Sequence, residues 1–236
     1  MGSTRLPGKV LQPIAQGRSM IDLILERLRH CARLSDVVVA IPDANTGGPL
    51  GAELARLGAN VFAGSEDDVL DRYYQAARRY KAEHVVRITA DCPLVSIRQT
   101  DRLIQHHLRS GADYSHNITV WGSGMPLGTG SEVFTFEALE TSWRDGKLPH
   151  HREHVDEYVG DHRELFKFEM LSAPEGLCYP DLRLTVDTVE DLELIRAIYD
   201  RLYKLGQPVG LVDVVALMAD EPALREINRH VVQKPL

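Results

Sequence analysis

The sequence predicts an α/β fold in which helices cover both faces of a mainly parallel, Rossmann-like sheet, giving three layers. Short apolar runs alternate with amphipathic stretches through the first half of the chain. The run DVVVAI at 36–41 is continuous and β-branched, as expected of a strand that is buried on both faces. A strand–helix alternation of this kind favours parallel pairing with helical crossovers.

The elements follow from local patterns taken in order. Apolar residues recur at helical spacing in 19–34, where Ser19 is placed to cap the helix. Similar patterns predict further helices at 51–59, 65–83, 96–111, 134–146, 151–162 and 189–206, and one or two helices at 211–228. Strands are predicted at 36–41, 60–64, 84–89, 166–172 and 181–188. Ser65 is the predicted cap of the helix over 65–83.

The simplest domain organisation is one domain over residues 1–236. Within it, 113–135 is glycine-rich and breaks the alternation, so we predict an irregular insertion there. Residues 207–236 are predicted to form a helical tail, to which the sequence assigns no role.

Composition excludes some classes of protein. The 236 residues carry a net charge of −7, which argues against a general nucleic-acid binder. No apolar run approaches the length of a membrane span, so we expect no membrane association. Three widely spaced cysteines show neither a disulfide framework nor zinc spacing, and they favour a reducing cytoplasm.

The first candidate site is the opening segment MGSTRLPGKVL. Gly2 and Gly8 permit close backbone approach to a ligand, and Ser3 and Thr4 can donate hydrogen bonds. Arg5 and Lys9 bring two positive charges, which suits a polyphosphate, although the Walker pattern is absent. The alternative is a solvated chain terminus.

Two aspartates form the second candidate site. Asp91 follows the strand predicted at 84–89, and Asp187 lies between the strand predicted at 181–188 and the next helix. Because ligands bind outside the carboxyl ends of parallel strands, the two carboxylates together predict a site for a divalent metal ion bound to a triphosphate. Each alone could instead serve a turn or a helix start, where Thr188 and Asp191 have capping-box spacing.

Two further groups leave both a functional and a structural interpretation open. Asp68 and Arg72 have the i,i+4 spacing of a surface ion pair. His150 and His154 have the spacing of zinc ligands on a helix, but no third ligand follows at a recognisable spacing.

Several motifs occur in an order that resembles the cytidylyltransferase family that makes CMP-activated acidic sugars. They are GSTRLPGKVL, GSEDDVLDRYYQAA, VVRITADCPLV, EVFTFEALE, REHV and LRLTVDT, and they extend to about residue 205. The likeness is greatest to the branch that serves spore-coat polysaccharide synthesis. It implies the nucleotide-diphospho-sugar transferase type of fold. It also implies that Met1 resembles an internal methionine and that a central first strand is missing from this sequence.

The resemblance implies a nucleotidyltransferase that converts CTP and an acidic sugar into a CMP-sugar and pyrophosphate. Arg5, Lys9 and Asp91 would be catalytic, and Asp91 and Asp187 would hold Mg²⁺. The nucleotide would contact Gly2, Ser3, Thr4, Arg5, Gly8, Lys9, Asp68 and Arg87. The sugar would contact Glu132, Arg152 and His154, and a homodimer is expected.

Two alternatives remain open at this stage. One is a glycosyltransferase or another nucleotidyltransferase on the same fold, although Asp91 is followed by Cys92 and Pro93 and not by the second Asp of an Asp-x-Asp motif. The other is a non-catalytic, nucleotide-binding remnant, which the missing strand favours.

Overall fold

A computed structural model describes residues 6–233 of the chain. Its strands are β1 (Pro13–Ala15), β2 (Arg18–Ser19), β3 (Val38–Pro42), β4 (Asn60–Gly64), β5 (His84–Arg87), β6 (Tyr114–His116), β7 (Glu132–Thr135) and β8 (Phe168–Met170). β1 and β2 form a small antiparallel pair, and β3 pairs with β4 in parallel. The remaining strands form one sheet in the order β5-β7-β6-β8. In that sheet β7 is antiparallel to both of its neighbours, and β6 and β8 are parallel.

The α-helices alternate with these strands. They are α1 (Met20–Arg29), α2 (Pro49–Arg56), α3 (Val69–Tyr80), α4 (Ile97–Ser110), α5 (Phe136–Asp145), α6 (Pro149–Glu153), α7 (Glu157–Asp161), α8 (Val189–Leu202), α9 (Leu211–Asp220) and α10 (Ala223–Glu226). Short 3-10 helices lie at Lys9–Leu11, Asp43–Asn45, Thr119–Trp121, Arg163–Leu165 and Glu175–Leu177. No helix in the described part is long and apolar enough to cross a membrane.

Helices cover both faces of the four-stranded sheet. Val133 and Phe134 are consecutive in β7, so their side chains point to opposite faces. Val133 packs with Leu103 and Ile104 of α4, whereas Phe134 packs with residues of α3 and α5 such as Leu70 and Leu139. This arrangement gives the predicted three layers.

Local capping signals correctly place several helix ends. The Ser19 side chain accepts a hydrogen bond from the backbone N–H of Asp22 at the start of α1. Thr188 and Asp191 form the predicted capping box of α8. The predicted cap of α3 is wrong: Asp68 caps this helix, and Ser65 accepts from the backbone N–H of Asp68 one turn earlier.

Three predicted elements differ from the structure. The segment 113–135 contains β6 and β7, which escape the pattern because they are only three and four residues long. The helix predicted over 151–162 is two short helices, separated by an extended His154. The strand predicted over 181–188 is an extended segment with a single β-bridge, between Leu127 and Arg183.

Within residues 6–233, one edge of β3 and one edge of β5 have no strand partner, since β3 pairs only with β4 and β5 only with β7. Cys31, Cys92 and Cys178 are free thiols, and the cytoplasmic location predicted from the cysteines stays a prediction.

Candidate active site

Lys9 brings together the two aspartates that the sequence singled out. Its ammonium nitrogen Nζ lies 3.0 Å from Asp91 Oδ2 and 3.0 Å from Asp187 Oδ1. It also donates to the backbone carbonyl of Val186 at 2.8 Å. We call Lys9, Asp91 and Asp187 the Lys9 cluster. Three oxygen atoms therefore surround a single positive charge.

Backbone pairing explains why two distant aspartates meet. The loop after β5 and the extended segment before α8 lie side by side, and the Val186 N–H donates to the Asp91 carbonyl at 2.8 Å. The Thr185 hydroxyl donates to the same carbonyl at 3.2 Å. Asp91 and Asp187 consequently enter one site although they come from opposite halves of the chain.

Asp187 also forms hydrogen bonds with residues that the sequence analysis did not assign to the site. Arg183 Nη2 donates to Asp187 Oδ2 at 2.8 Å and to Asp191 Oδ2 at 3.0 Å. Asp191 also accepts from the backbone N–H of Asp187 and from Asn228 Nδ2, both at 2.9 Å. The capping-box spacing with Thr188 pointed to Asp191, whereas nothing local pointed to Arg183 or Asn228.

Lys9 stays positively charged in this setting. Burial by itself would lower the pKa of Lys9, but the carboxylates of Asp91 and Asp187 outweigh it and raise the pKa above the ordinary value. The residue before it, Gly8, has a φ of 68°, a left-handed conformation that glycine adopts at little cost, and it begins the 3-10 helix that carries Lys9.

A second cluster of one cation and two carboxylates lies deeper. Arg87 at the end of β5 pairs with Glu132 on β7, its partner in the strand register, and lies 3.2 Å from Asp156 Oδ1. The Tyr114 hydroxyl donates to Glu132 Oε1 at 2.7 Å. We call Arg87, Glu132 and Asp156 the Arg87 cluster.

Burial dominates the chemistry of the Arg87 cluster. Burial, with a smaller contribution from the nearby Asp156, raises the pKa of Glu132 to about 7, although Arg87 and the Tyr114 hydroxyl oppose the shift. Burial also raises the pKa of Tyr73, on which Arg87, Glu132 and Asp91 act as well. Tyr73 therefore lies within electrostatic reach of both clusters.

Asp68 and Arg152 form an ion pair that the sequence did not predict. Arg152 Nη2 and Nε both donate to Asp68 Oδ2, at 2.6 and 2.9 Å. Arg152 Nη1 donates to the backbone carbonyls of Trp143 and Gly146. The predicted pair of Asp68 with Arg72 is wrong, because Arg72 turns instead to the carbonyl of Ser65.

The structure does not bring all predicted site residues together. His154 ends α6 and is partly exposed, and Glu132 lies in the buried cluster, away from the surface. The predicted roles of Gly2, Ser3, Thr4 and Arg5 fall outside the described residues. All of these roles stay predictions.

The chain belongs to the cytidylyltransferase family, whose family model matches residues 1–207. Members are nucleotidyltransferases, and the fold and the oxygen-rich cation site agree with this class of enzyme.

The chain is similar to two curated proteins over most of its length. It is 36% identical over 233 residues to the uncharacterized protein MJ1063 of Methanocaldococcus jannaschii, covering 99% of this chain and 93% of that protein. It is 37% identical over 206 residues to the spore coat polysaccharide biosynthesis protein SpsF of Bacillus subtilis, covering 85% and 83%.

Solved structures agree on the fold. A cytidylyltransferase from Leptospira borgpetersenii matches with a TM-score of 0.85 and 28% identity, covering 100% of this chain and 95% of that one. A CMP:2-keto-3-deoxy-manno-octonic acid synthetase complexed with CTP matches with a TM-score of 0.61 and 17% identity, covering 85% and 95%, and supports the fold alone. The predicted fold class is thereby confirmed.

Proposed function

We propose that this protein transfers the cytidylyl group of CTP to an acidic sugar, releasing pyrophosphate, for the synthesis of a surface polysaccharide. The observation that carries the proposal is the Lys9 cluster, in which oxygens from two distant segments surround one cation. Family membership supports the nucleotidyl transfer, and the similarity to SpsF supports the polysaccharide pathway.

In the proposed reaction a sugar hydroxyl oxygen attacks the α-phosphorus of CTP. The new phosphorus–oxygen bond forms as the bond to the β-phosphate oxygen breaks, and the hydroxyl proton is lost to solvent or to a nearby base. Such a transfer depends on positioning and charge neutralisation more than on a covalent intermediate.

The residues of the Lys9 cluster fit a magnesium ion. Carboxylate and backbone carbonyl oxygens are the hard ligands that Mg²⁺ prefers, and the Lys9 ammonium already marks a place where a cation is stable. Asp91 and Asp187 would hold the ion, which would neutralise charge on the phosphate oxygens. Arg183 fixes the orientation of Asp187 for this role.

Lys9 would give up its contacts with Asp91 Oδ2 and Asp187 Oδ1 if a metal ion took these two oxygen atoms. Its flexible side chain then becomes free to contact the phosphates of CTP and to offset charge on the leaving pyrophosphate. Lys9 would thus hold the site together before substrate binds and bind phosphate afterwards.

On the sugar side, Glu132, Arg152 and His154 remain the proposed residues. Four of the five N–H donors of Arg152 are engaged by Asp68, Trp143 and Gly146, so we assign Arg152 a positioning role. His154 adjoins it and is the better candidate for direct contact with a sugar carboxylate.

The test is pyrophosphate release with Mg²⁺, each of the four nucleoside triphosphates and a panel of acidic sugars. We expect release only with CTP and one class of sugar acid. Asp91→Asn and Asp187→Asn should fold normally and lose roughly 10²–10³-fold in turnover, the usual effect of removing a key electrostatic group.

Asp200→Asn is the matched control, since Asp200 is exposed on α8 and should leave the rate unchanged. Turnover at the wild-type rate in either site variant would refute the metal assignment. Preference for another nucleotide would refute the choice of CTP.

A further inference from the structure

A cluster of two histidines and one aspartate lies outside both clusters described above. His150 Nε2 and His151 Nε2 each lie 2.9 Å from the same carboxylate oxygen, Asp161 Oδ2. All three atoms lie within 4.8 Å of one another. The sequence offered His154 as the partner of His150, but the structure replaces it with His151 and adds Asp161 as the third group.

The fold of the α6–α7 segment creates this convergence. The histidines lie near the start of α6, and Asp161 is the last residue of α7. The His151 side chain is only 3% exposed and packs edge-on against the Tyr158 ring at 5.3 Å between centroids. His151 is therefore a fixed anchor, whereas His150 and Asp161 are 45% and 47% exposed.

We propose that His150 Nε2, His151 Nε2 and Asp161 Oδ2 bind a divalent first-row transition metal ion such as Zn²⁺. Two imidazoles and one carboxylate are a ligand set that suits such ions and suits Mg²⁺ poorly. Zinc ligand atoms in a tetrahedral site lie about 3.3 Å apart, given bonds of about 2.0–2.1 Å. The two observed N–O separations of 2.9 Å need to lengthen by only a few tenths of an ångström to reach this value.

The geometry leaves a coordination position open to solvent, because two of the three ligands are on the surface. A site with three protein ligands and one open position can accept water or a further anionic group. The ion would fasten the end of α7 to the start of α6.

That restraint acts on a segment that forms two ion pairs with other parts of the chain. Arg152 in α6 is tied to Asp68, and Asp156 before α7 is tied to Arg87. A metal ion at the histidines would therefore restrict the segment that carries both ties. The metal-binding proposal itself does not depend on the proposed function.

The experiment is calorimetric titration of Zn²⁺ into the full, untagged chain after treatment with a chelator, in buffer containing excess Mg²⁺. We expect one Zn²⁺ per chain and a rise in melting temperature on binding. His150→Asn and Asp161→Asn should each weaken binding at least about tenfold, since each removes one of three ligands. Both positions are half exposed, so both variants should fold, which circular dichroism would check.

His106→Asn is the matched control, because His106 forms a partly exposed pair with Glu169 at 3.3 Å, and no second imidazole binds the same carboxylate oxygen. Asp91→Asn should also keep Zn²⁺ binding, which separates this site from the Lys9 cluster. The proposal is overturned if the wild type shows no saturable uptake, if His150→Asn and Asp161→Asn bind like the wild type, or if only Asp91→Asn loses the ion.

Discussion

The Lys9 and Arg87 clusters have the same charges, but they differ in whether their cation can be exchanged for another. Each places one cation between two carboxylates, but the side chains of the Lys9 cluster are 14–28% exposed and those of the Arg87 cluster only 4–12%. A flexible, partly hydrated ammonium can be exchanged for another cation. A buried guanidinium cannot leave its site, because two carboxylates would then remain in an apolar environment without a compensating charge. Burial and the type of cation thus separate an exchangeable site from a structural one.

The largest expected effect comes from removing the buried cation. Arg87→Met should lower the free energy of unfolding by about 3–5 kcal/mol, because Glu132 and Asp156 would lose their compensating charge. Urea denaturation measures the loss. Arg229→Met is the control, since this Arg is 75% exposed beside Glu226 and should change stability by less than about 1 kcal/mol. An equal loss of unfolding free energy in Arg87→Met and Arg229→Met would contradict the conclusion that burial makes the Arg87 cluster a structural one.

The buried carboxyl should make stability depend on pH. The pKa of Glu132 is about 7 in the folded chain against 4.5 ordinarily, so the folded state holds a proton that the unfolded state has lost between these pH values. Stability contributed by this proton is therefore lost as pH rises from about 4.5 to about 7. Glu132→Gln should remove that decline relative to the wild type.

Unfolding free energies at pH 5 and pH 7.5 would measure this difference. Glu164→Gln, at an exposed position, should keep the wild-type dependence. If the unfolding free energies of Glu132→Gln and of the wild type changed by the same amount between these pH values, Glu132 would titrate normally, and other interactions would compensate for its burial.

In the exchangeable cluster, removing the cation should help a metal to bind. Lys9→Gln should tighten binding of Mn²⁺, measured without nucleotide by electron paramagnetic resonance, by roughly tenfold, because a competing positive charge is gone. Lys147→Gln, on the surface, should leave the affinity unchanged. Weaker binding in Lys9→Gln would mean that Lys9 supports the metal and does not occupy its place.

The smallest effect expected is that of a single hydrogen bond in the Arg87 cluster. Tyr114→Phe removes the donor to Glu132 and should lower the free energy of unfolding by about 1 kcal/mol. Tyr179→Phe, at a partly exposed ring, should lower it by less. Thermal or urea unfolding of both variants measures these losses. An unchanged free energy of unfolding in Tyr114→Phe would show that Glu132 does not need this donor.

Local patterns determined much of the fold. Ser19 and the pair Thr188 and Asp191 identified helix starts correctly, because a cap depends on hydrogen bonds within three residues. The continuous run at β3 identified a strand for a similar local reason. The sequence also placed Asp91 and Asp187 in one predicted site, and Lys9 joins them in the structure, although β5 is antiparallel to β7 and the segment 181–188 forms only a single β-bridge.

The sequence by itself thus determined the α/β alternation, most helix starts and the residue types of the candidate site. Tertiary structure alone decided the antiparallel placement of β7, the division of the helix predicted over 151–162 and the partners of Asp68, Asp187 and Asp161. Arg152 and Asp156 reach toward α3 and β5, which lie far away in the sequence, and the extended His154 lets them do so. Such contacts depend on which segments become neighbours after folding, and periodicity and capping within one segment carry no information about that.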